Sequence, residues 1–121
     1  MADARVTLGA GYIYTGRVIR VIDGDTLDVE VDLGFRLTYR TPLRLAHINA
    51  PEKNTRDGYA ALVFVKEWAG ELPLDVYVQT YKPYDKYGRY LATVQKPSEQ
   101  YTLNDLLVQT GHAVPYEGGA R

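Results

Sequence analysis

The stretch Thr26-Leu27-Asp28-Val29-Glu30-Val31-Asp32-Leu33 decides how this chain folds. Apolar and polar side chains alternate strictly along it. A period of two is typical of a β-strand with one buried face and one face in water. The strand is predicted over residues 26–33. Its apolar face carries Leu27, Val29, Val31 and Leu33, and its wet face carries Thr26, Asp28, Glu30 and Asp32.

The sequence on both sides of this strand extends the β pattern. Residues 12–22 are rich in β-branched and aromatic side chains, which favour strands. The dipeptide Asp23-Gly24 between the two runs is a hairpin turn signal. A third strand is predicted over residues 36–48, interrupted or bent near Pro42, because proline has no N–H to donate to a neighbouring strand.

After these strands the apolar residues change to a helical period. Residues 57–70 predict a helix that Asp57 can cap at its start and Gly70 can end. One face of this helix carries an apolar stripe made of Ala61, Phe64, Val65 and Trp68. A stripe of this width predicts that the helix packs on the core.

The rest of the chain predicts two more strands and a second helix. The strands cover residues 74–81 and 89–95. The helix covers residues 103–110, with Thr102 or Asn104 near its start and Gly111 at its end. Residues 114–121 are predicted to be extended or loose.

The predicted order is therefore three strands, a helix, two strands and a helix. A mainly antiparallel β-barrel with a helix between its third and fourth strands is typical of an OB-fold. We predict a mainly β (α+β) chain, a five-stranded OB-fold barrel with two helices packed on it. The 121 residues suit one domain, in which residues 1–11 and 115–121 are expected to be flexible.

Composition and charge exclude several classes of protein. The hydrophobic share of 45% is ordinary for a globular chain, and the net charge of −1 gives no overall attraction to nucleic acid. The chain has no cysteine and 2 histidines, which argues against disulfides and zinc sites. It has no signal-peptide pattern and no apolar run of about 20 residues. We expect a cytoplasmic protein with no membrane partner; a mature secreted form would also lack a signal peptide, and a virus-encoded protein fits the same pattern.

The first polar segment of interest surrounds the Asp23-Gly24 turn. A tight turn between two strands would hold Asp25 at the start of a strand. A carboxylate on a rigid element is a good ligand for a hard cation such as calcium. An ordinary Asp-Gly hairpin without a metal ion explains the same pattern.

The second segment runs from Arg44 to Glu52, where a predicted strand ends. Arg44 can hold a phosphate with two hydrogen bonds, and Asn49 can offer a neutral oxygen to a metal ion. Pro51 stiffens the turn that presents Glu52, which can act as a base or orient a water molecule. The alternative is a surface ion pair of arginine and glutamate, which would contribute little to stability.

The third segment is Asp85-Lys86-Tyr87-Gly88-Arg89, between two predicted strands. Gly88 permits the turn, and Arg89 begins the next strand. A second arginine suits a phosphoryl-transfer site whose transition state gains negative charge. Lys86 and Tyr87 can border a nucleotide pocket. Taken alone, the segment also fits a solvated hairpin tip.

Other polar residues are assigned no chemistry. The segment from Asn104 to Ala113 carries a leucine stripe that indicates core packing. His47 alternates with Leu45 along its predicted strand, so an interior or half-buried position is expected rather than a catalytic one. His112 follows a helix C-terminus, where a positive charge is mildly favourable.

In combination and in order, these segments resemble staphylococcal nuclease and its relatives. The pattern is Asp-Gly-Asp-Thr at 23–26, Arg-Leu at 44–45 leading to Ala-Pro-Glu at 50–52, and Asp-Lys-Tyr-Gly-Arg at 85–89 followed by Leu91-Ala92. The helix at 103–110 with Gly111 also matches, so the resemblance covers about residues 14–114. The ending Val114–Arg121 is similar to short phage-encoded relatives.

The resemblance implies an OB-fold barrel and a monomeric, metal-dependent phosphodiesterase of the endonuclease type. It implies calcium-dependent hydrolysis of DNA and RNA, with 3′-phosphate ends on the products. By position, Asp25 matches an aspartate that binds calcium. Arg44 and Arg89 match two arginines that bind the phosphate. Glu52 matches the glutamate usually described as the general base.

Several positions depart from the best-known member of this family. Asn49 stands where that member has a second aspartate ligand, which removes one negative charge from the metal site. Ala50 stands where a threonine supplies its backbone carbonyl, and an alanine retains that oxygen. Tyr116 is aligned loosely with a tyrosine that stacks on the nucleotide. The loop Lys53-Asn54-Thr55-Arg56 is shorter than the lysine-rich loop of that member.

Two other functions compete with an active nuclease. Nuclease-like domains of this kind also occur in Tudor-SN proteins as non-catalytic binders of nucleic acid or protein. A third possibility is a scaffold part of a larger assembly with a vestigial site. The four residues Asp25, Arg44, Glu52 and Arg89 favour the nuclease because binding alone would not require them, whereas Asn49 partly favours the inactive binding module.

Overall fold

The computed structural model describes residues 12–81 and 89–116, which contain seven strands and two helices. In chain order these elements are β1 Tyr12–Asp23, β2 Thr26–Gly34, β3 Leu37–Leu45, β4 Ile48–Asn49, α1 Arg56–Ala69, β5 Leu74–Tyr81, β6 Tyr90–Gln95, α2 Leu103–Gln109 and β7 Val114–Pro115. The five long strands form a closed ring in the order β1-β2-β3-β6-β5. The predicted mainly β (α+β), OB-like fold with two helices is therefore confirmed.

The long strand β1 closes the ring because it pairs with two neighbours. Its first part, from Tyr12 to Val18, pairs with β5, and its second part, from Gly16 to Asp23, pairs with β2. The two ladders overlap at Gly16, where an added Cβ would lie 2.9 Å from the carbonyl oxygen of Glu30. A glycine at this point lets the two backbones approach closely enough for β1 to bend around the barrel.

The alternation along β2 is confirmed with corrections at Leu33 and Asp28, and Thr26, which was also predicted to face water, is buried. The side chains that enter the core are Leu27, Val29 and Val31. Leu33 lies towards the hairpin tip and is 45% exposed. Asp28, predicted to face water, is buried. The guanidinium of Arg40 on β3 covers it and donates two hydrogen bonds to its Oδ2, at 2.9 and 3.2 Å.

The third predicted strand is two separate strands. β3 ends at Leu45 and β4 begins at Ile48, and His47 between them has a φ of 67°. The predicted interruption near Pro42 is therefore wrong. Pro42 lies inside β3 and pairs with β2, and β6 joins β3 only beyond it. An edge position tolerates proline because no neighbouring strand there requires its missing N–H.

Helix α1 begins one residue earlier than predicted. Its N-cap is Thr55, whose Oγ1 accepts a hydrogen bond from the amide of Gly58 at 3.1 Å. Asp57 is not the cap but lies in the first turn, where a negative charge is favourable. Gly70 ends the helix as predicted. The apolar stripe faces the core, with Ala61, Val65 and Trp68 buried and Phe64 half-buried.

Helix α2 is tied to the barrel by a buried polar residue. Thr102 is its N-cap, and Asn104 follows within the first turn. Asn104 Nδ2 donates to the carbonyl oxygens of Ala46 and Ala92, at 3.0 and 3.1 Å, and its Oδ1 accepts from the amide of Val94 at 3.2 Å. This side chain, which was predicted only to lie near the helix start, therefore holds together α2, β6 and the turn that follows β3.

The tail, predicted to be extended or loose, is extended at its start. Val114 and Pro115 form β7, which pairs with β4 at Asn49 and Ile48. Residues 1–11 and 117–121, for which flexibility was expected, lie outside the described residues. Neither described helix is long and apolar enough to cross a bilayer.

Candidate functional site

Three neighbouring strands bring three of the predicted site residues, Asp25, Arg44 and Arg89, into one outward-facing row or directly beside it. Thr26 on β2 lies opposite Arg44 on β3, and Arg44 lies opposite Leu91 on β6. Residues in register on neighbouring strands share one face of a sheet. Asp25 immediately precedes Thr26, and Arg89 lies two residues before Leu91. The barrel therefore brings together residues that are far apart in the sequence.

The guanidinium of Arg44 is buried and mostly bound within the protein. Its Nη1 donates to the carbonyl oxygens of Leu45 and Ile48, at 2.8 and 3.0 Å. Its Nη2 donates to Oδ1 of Asn49 at 3.1 Å and lies 3.4 Å from Oδ2 of Asp25. A guanidinium has five N–H groups, and these contacts use Nη1 and Nη2, so the Nε–H group is the one that can donate to a further oxyanion.

Asp25 is a nearly buried carboxylate with one strong hydrogen bond from the backbone. Its Oδ2 accepts the amide of Ala50 at 2.9 Å. Burial raises the pKa of Asp25 to about 6, and a hydrogen bond with the carboxyl group of Asp23 adds to the rise. Arg44 and the amide of Ala50 oppose this rise without cancelling it. The ionised carboxylate therefore lacks enough positive charge nearby, which is typical of a site that takes a cation.

Thr26 connects Asp25 with Arg89. The Thr26 hydroxyl is buried, and it donates to Oδ1 of Asp25 at 3.3 Å. Nη1 of Arg89 in turn donates to Oγ1 of Thr26 at 3.4 Å. Both contacts are long, so they orient the two charged groups more than they stabilise them. No role was predicted for Thr26, because only the barrel register brings it next to Arg89.

Glu52 lies on the loop between β4 and α1, and its side chain is exposed. Its carbonyl oxygen accepts hydrogen bonds from the amide and Oγ1 of Thr55, at 3.0 and 2.6 Å. The loop also packs closely on α1, since a Cβ at Gly58 would overlap the carbonyl oxygen of Glu52. The backbone of Glu52 is therefore fixed while its carboxylate can reach a water molecule.

Asp25, Asn49 and Ala50 are the residues predicted to offer oxygen atoms to a cation. The hydrogen bond from Ala50 to Asp25 brings the two chain segments together. Carboxylate, amide and backbone carbonyl oxygens are the donors that calcium prefers. Across residues 12–81 and 89–116, no three His, Cys, Asp or Glu side chains form a metal-binding group. The donor set therefore fits calcium in its chemistry, with few carboxylates to hold it.

Three residues predicted to bind substrate are only partly described. Lys86 and Tyr87 lie outside the described residues. Tyr116 is half-buried and follows β7, and its amide donates to the carbonyl oxygen of His47 at 2.8 Å. The expectation for His47 itself is wrong, because its side chain is exposed rather than interior. The turn after Leu45 ends the strand alternation on which that expectation depended.

The family of the chain follows from a comparison with family models. The model described as staphylococcal nuclease homologue matches residues 42–120, which is more than half of the chain. The matched part contains Arg44, Glu52 and Arg89, whereas Asp25 precedes it. The chain belongs to the family of staphylococcal nuclease homologues, as its sequence motifs predicted.

Individual relatives agree with this family. The chain is 36% identical over 102 residues to an uncharacterized endonuclease of Escherichia coli O157:H7, covering 84% of this chain and 61% of that relative. It is 35% identical over 119 residues to a micrococcal nuclease of Shigella flexneri, covering 92% and 63%. Protein ParB of Escherichia coli is 34% identical over 114 residues, covering 84% and 56%. The chain thus spans about three fifths of the length of these relatives.

The burial of Asp25 predicts a stability that falls as the pH rises. The pKa of about 6 in the folded chain lies above the ordinary aspartate value of 3.8, so the folded state binds more protons between these two values. The contribution of this group to stability is therefore highest below about pH 4. It falls as the pH rises from about 4 to about 6. We expect Asp25→Asn to raise the free energy of unfolding in excess chelator by about 1–2 kcal/mol at pH 7.5 and by less at pH 4.5.

Urea unfolding at the two pH values measures this difference. The exposed Asp75→Asn variant is the matched control, because it removes the same charge from the surface of β5. A gain for Asp25→Asn that is equal at both pH values, or no gain at all, would contradict the cause assigned to the raised pKa.

Proposed function

We propose that this chain is a calcium-dependent nuclease that hydrolyses phosphodiester bonds of DNA or RNA. The observation that carries the proposal is the row of Thr26, Arg44 and Leu91, which gathers Asp25 and Arg89 around one buried guanidinium. The names of the nuclease relatives and the family itself support the same activity. Two arginines beside a single carboxylate have the charge needed to hold a phosphate and a cation together.

The arginines would act on the phosphate group of the substrate. Arg44 can offer its Nε–H group, because its Nη1 and Nη2 atoms already contact oxygen atoms of the protein. Arg89 is half-buried and reaches the same row from the start of β6. Negative charge grows on the phosphate oxygens in the transition state, so two fixed guanidinium groups stabilise it more than the ground state.

Glu52 would take the proton of the attacking water. Its carboxylate is exposed, and its backbone is fixed by Thr55 and by the close contact at Gly58. Asp25, Asn49 and the carbonyl of Ala50 would hold the calcium ion. When bound, a calcium ion supplies positive charge to the phosphate and orients water. Lys86, Tyr87 and Tyr116 are proposed to border the bound nucleotide.

A catalytically inactive binding module is the alternative function. The observation that favours it is the contact of Asn49 Oδ1 with Arg44, which occupies one of the few oxygens available to a cation. A site with fewer carboxylates binds calcium more weakly. Such a module would still bind nucleic acid through its arginines but would not shorten it.

Cleavage of single-stranded DNA with and without calcium distinguishes the two functions. We expect shortening of the DNA in calcium and none in excess chelator. Glu52→Gln should slow cleavage by about 10²–10⁴, because the general base is lost. Arg89→Ala should slow it by about 10²–10³, because a charge-stabilising donor is lost.

Two exposed residues of α1 provide matched controls for these variants. Glu67→Gln and Arg56→Ala make the same chemical changes away from the row. Equal cutting in chelator would exclude the calcium mechanism. Near-normal rates for Glu52→Gln and Arg89→Ala, with unchanged circular dichroism, would exclude the assigned residues.

The charge at position 49 tests the calcium site directly. Two unit charges about 4 Å apart interact by about 4 kcal/mol at an effective dielectric constant of 20. Part of this is lost because the new carboxylate of Asn49→Asp would also attract Arg44, which already contacts position 49 at 3.1 Å. We therefore expect about tenfold tighter calcium binding, equivalent to about 1.4 kcal/mol.

Calorimetric titration with calcium measures this affinity. Asn54→Asp is the matched control, since Asn54 is exposed on the neighbouring loop. Tighter binding by Asn49→Asp alone supports the site. Equal or weaker binding would mean that Asn49 does not contact the ion.

A further inference from the structure

The β2–β3 hairpin extends beyond the barrel as a two-stranded arm. β1 pairs with β2 only between Thr26 and Val31, and β6 pairs with β3 only from Leu43 onward. Over residues 37–42, no strand among the described residues pairs with β3 on the side away from β2. These residues form the open edge of β3. An unpaired strand edge presents free backbone N–H and C=O groups, to which another strand can bind.

The hydrogen bonds of β3 show which backbone groups point to this open edge. The amide of Leu45 donates to the carbonyl oxygen of Asp25, on the β2 side, at 2.8 Å. Backbone groups alternate between the two sides along a strand, and from Thr38 onward β3 pairs with β2 without a shift of register. The N–H and C=O groups of Thr38 and Arg40 therefore point away from β2. Pro42 points the same way but has no N–H.

The side chains of the arm favour an apolar partner. Tyr39 lies opposite Val31, which is in the core, so Tyr39 and Leu37 lie on the core-side face of the hairpin. Both side chains are nevertheless exposed, because this part of the hairpin lies beyond the barrel. Phe35 at the hairpin tip is 96% exposed. A group of exposed large apolar side chains is typical of an interaction surface.

The open edge has little protection against another strand. Natural edge strands commonly avoid pairing by means of charged side chains or proline. Arg40 is the only charged residue between residues 37 and 42, and Asp28 neutralises it through the two hydrogen bonds described above. Pro42 protects only the end of the edge that is next to the barrel. The remaining part of the edge can therefore accept a strand.

We propose that the open edge of β3 pairs with the same edge of a second copy of this chain, antiparallel, across a two-fold axis at Tyr39. The free groups suit this symmetry, because Thr38 and Arg40 lie at equal distances on either side of Tyr39. Thr38 then pairs with Arg40 of the second copy, and Arg40 with Thr38 of the second copy. Each copy donates two backbone hydrogen bonds and accepts two, and the pairing ends before Pro42.

The charges on the outer face agree with this pairing. Arg40 lies opposite Glu30, and Thr38 lies opposite Asp32. In the paired copies, each Arg40 therefore has Glu30 on one side and, beyond Thr38 of the second copy, Asp32 of that copy on the other side. The two Arg40 guanidinium groups do not face each other, because each is directed to Asp28 of its own copy. On the core-side face the two Tyr39 side chains meet at the axis.

The size of this contact sets the strength of the association. It consists of one short strand pair and the apolar side chains of Leu37 and Tyr39 from each copy. Stable interfaces bury about 1,200–2,000 Å², and a contact of this kind is smaller. The dimer should therefore be weak, with a dissociation constant between about 1 μM and about 1 mM. The proposal is independent of the nuclease function, and it replaces the monomer that the family resemblance implies.

Sedimentation velocity over about 1 μM to about 1 mM of protein tests the pairing. We expect Tyr39→Glu and Tyr39→Lys each to weaken association about tenfold, because like charges then face each other across the axis. An equimolar mixture of the two variants should associate again, since a glutamate then faces a lysine. Tyr59→Glu is the matched control, because it makes the same change at an exposed position on α1 and should associate like the parent chain.

A proline variant tests the backbone hydrogen bonds without adding a charge. Thr38→Pro removes one N–H group on the open edge and none of those that bind β2, so it should weaken association as Tyr39→Glu does. Hydrogen exchange of the parent chain gives a second measurement. The amides of Thr38 and Arg40 should exchange fast at about 1 μM and slowly at about 1 mM. The amides of Tyr39 and Thr41, which point to β2, should be protected at both concentrations.

Three results would overturn the proposal. The first is a parent chain that stays monomeric at every concentration. The second is association that is as strong in the Tyr39 and Thr38 variants as in the parent, which would assign the dimer to another surface. The third is protection of the Thr38 and Arg40 amides at the lowest concentration, which would mean that the edge is already covered within one copy.

Discussion

The hydrogen bonding of one buried guanidinium is the constraint on which the rest of the site depends. A buried charge is tolerated only when hydrogen bonds and an opposite charge surround it. Arg44 meets this condition with two backbone carbonyls, the amide oxygen of Asn49 and the nearby carboxylate of Asp25. These partners lie on both sides of the turn after β3 and at the start of β2. The same contacts that satisfy the charge therefore fix the geometry of the site.

The contacts between Arg44 and Asp25 affect both the stability of the fold and the proposed cation site. Asp25 lies close to Arg44, but this positive charge does not offset the cost of burying the carboxylate. Burial therefore raises the pKa of Asp25 to about 6. A carboxylate in this state weakens the fold at neutral pH and attracts a cation for the same physical reason. The backbone of His47 is a second feature that reduces stability. Its left-handed conformation is maintained by hydrogen bonds from Arg44 and Asn104. Sites that act on charged substrates commonly reduce stability in this way.

The sequence was sufficient for local features and insufficient for those that depend on register between strands. The alternation around Val29 and the apolar stripe around Val65 predicted the barrel and α1, because period alone determines which face is buried. The motifs also predicted which residues would gather, including Arg44 and Arg89. The contact of Thr26 with Arg89 was not predicted, because the two side chains meet only after β2, β3 and β6 are in register.

One error has its physical origin in the turn after β3. Strand alternation predicted an interior His47, but alternation ends where the backbone becomes left-handed. Asn104 lies at the start of α2 as predicted, but all three of its hydrogen bonds reach other elements. A polar side chain on an apolar helix face gives no indication of which distant carbonyl groups it will satisfy.

The central claim is that the Nε–H group of Arg44 binds the phosphate while its Nη1 and Nη2 atoms hold the turn. Nuclear magnetic resonance of the Arg44 Nε–H group tests it most directly, in Glu52→Gln protein with calcium and a short single-stranded DNA. The predicted result is a shifted Nε–H signal that exchanges more slowly with water once the DNA is bound. An Arg44 signal that is unaffected by DNA, while other arginine signals shift, would contradict the claim.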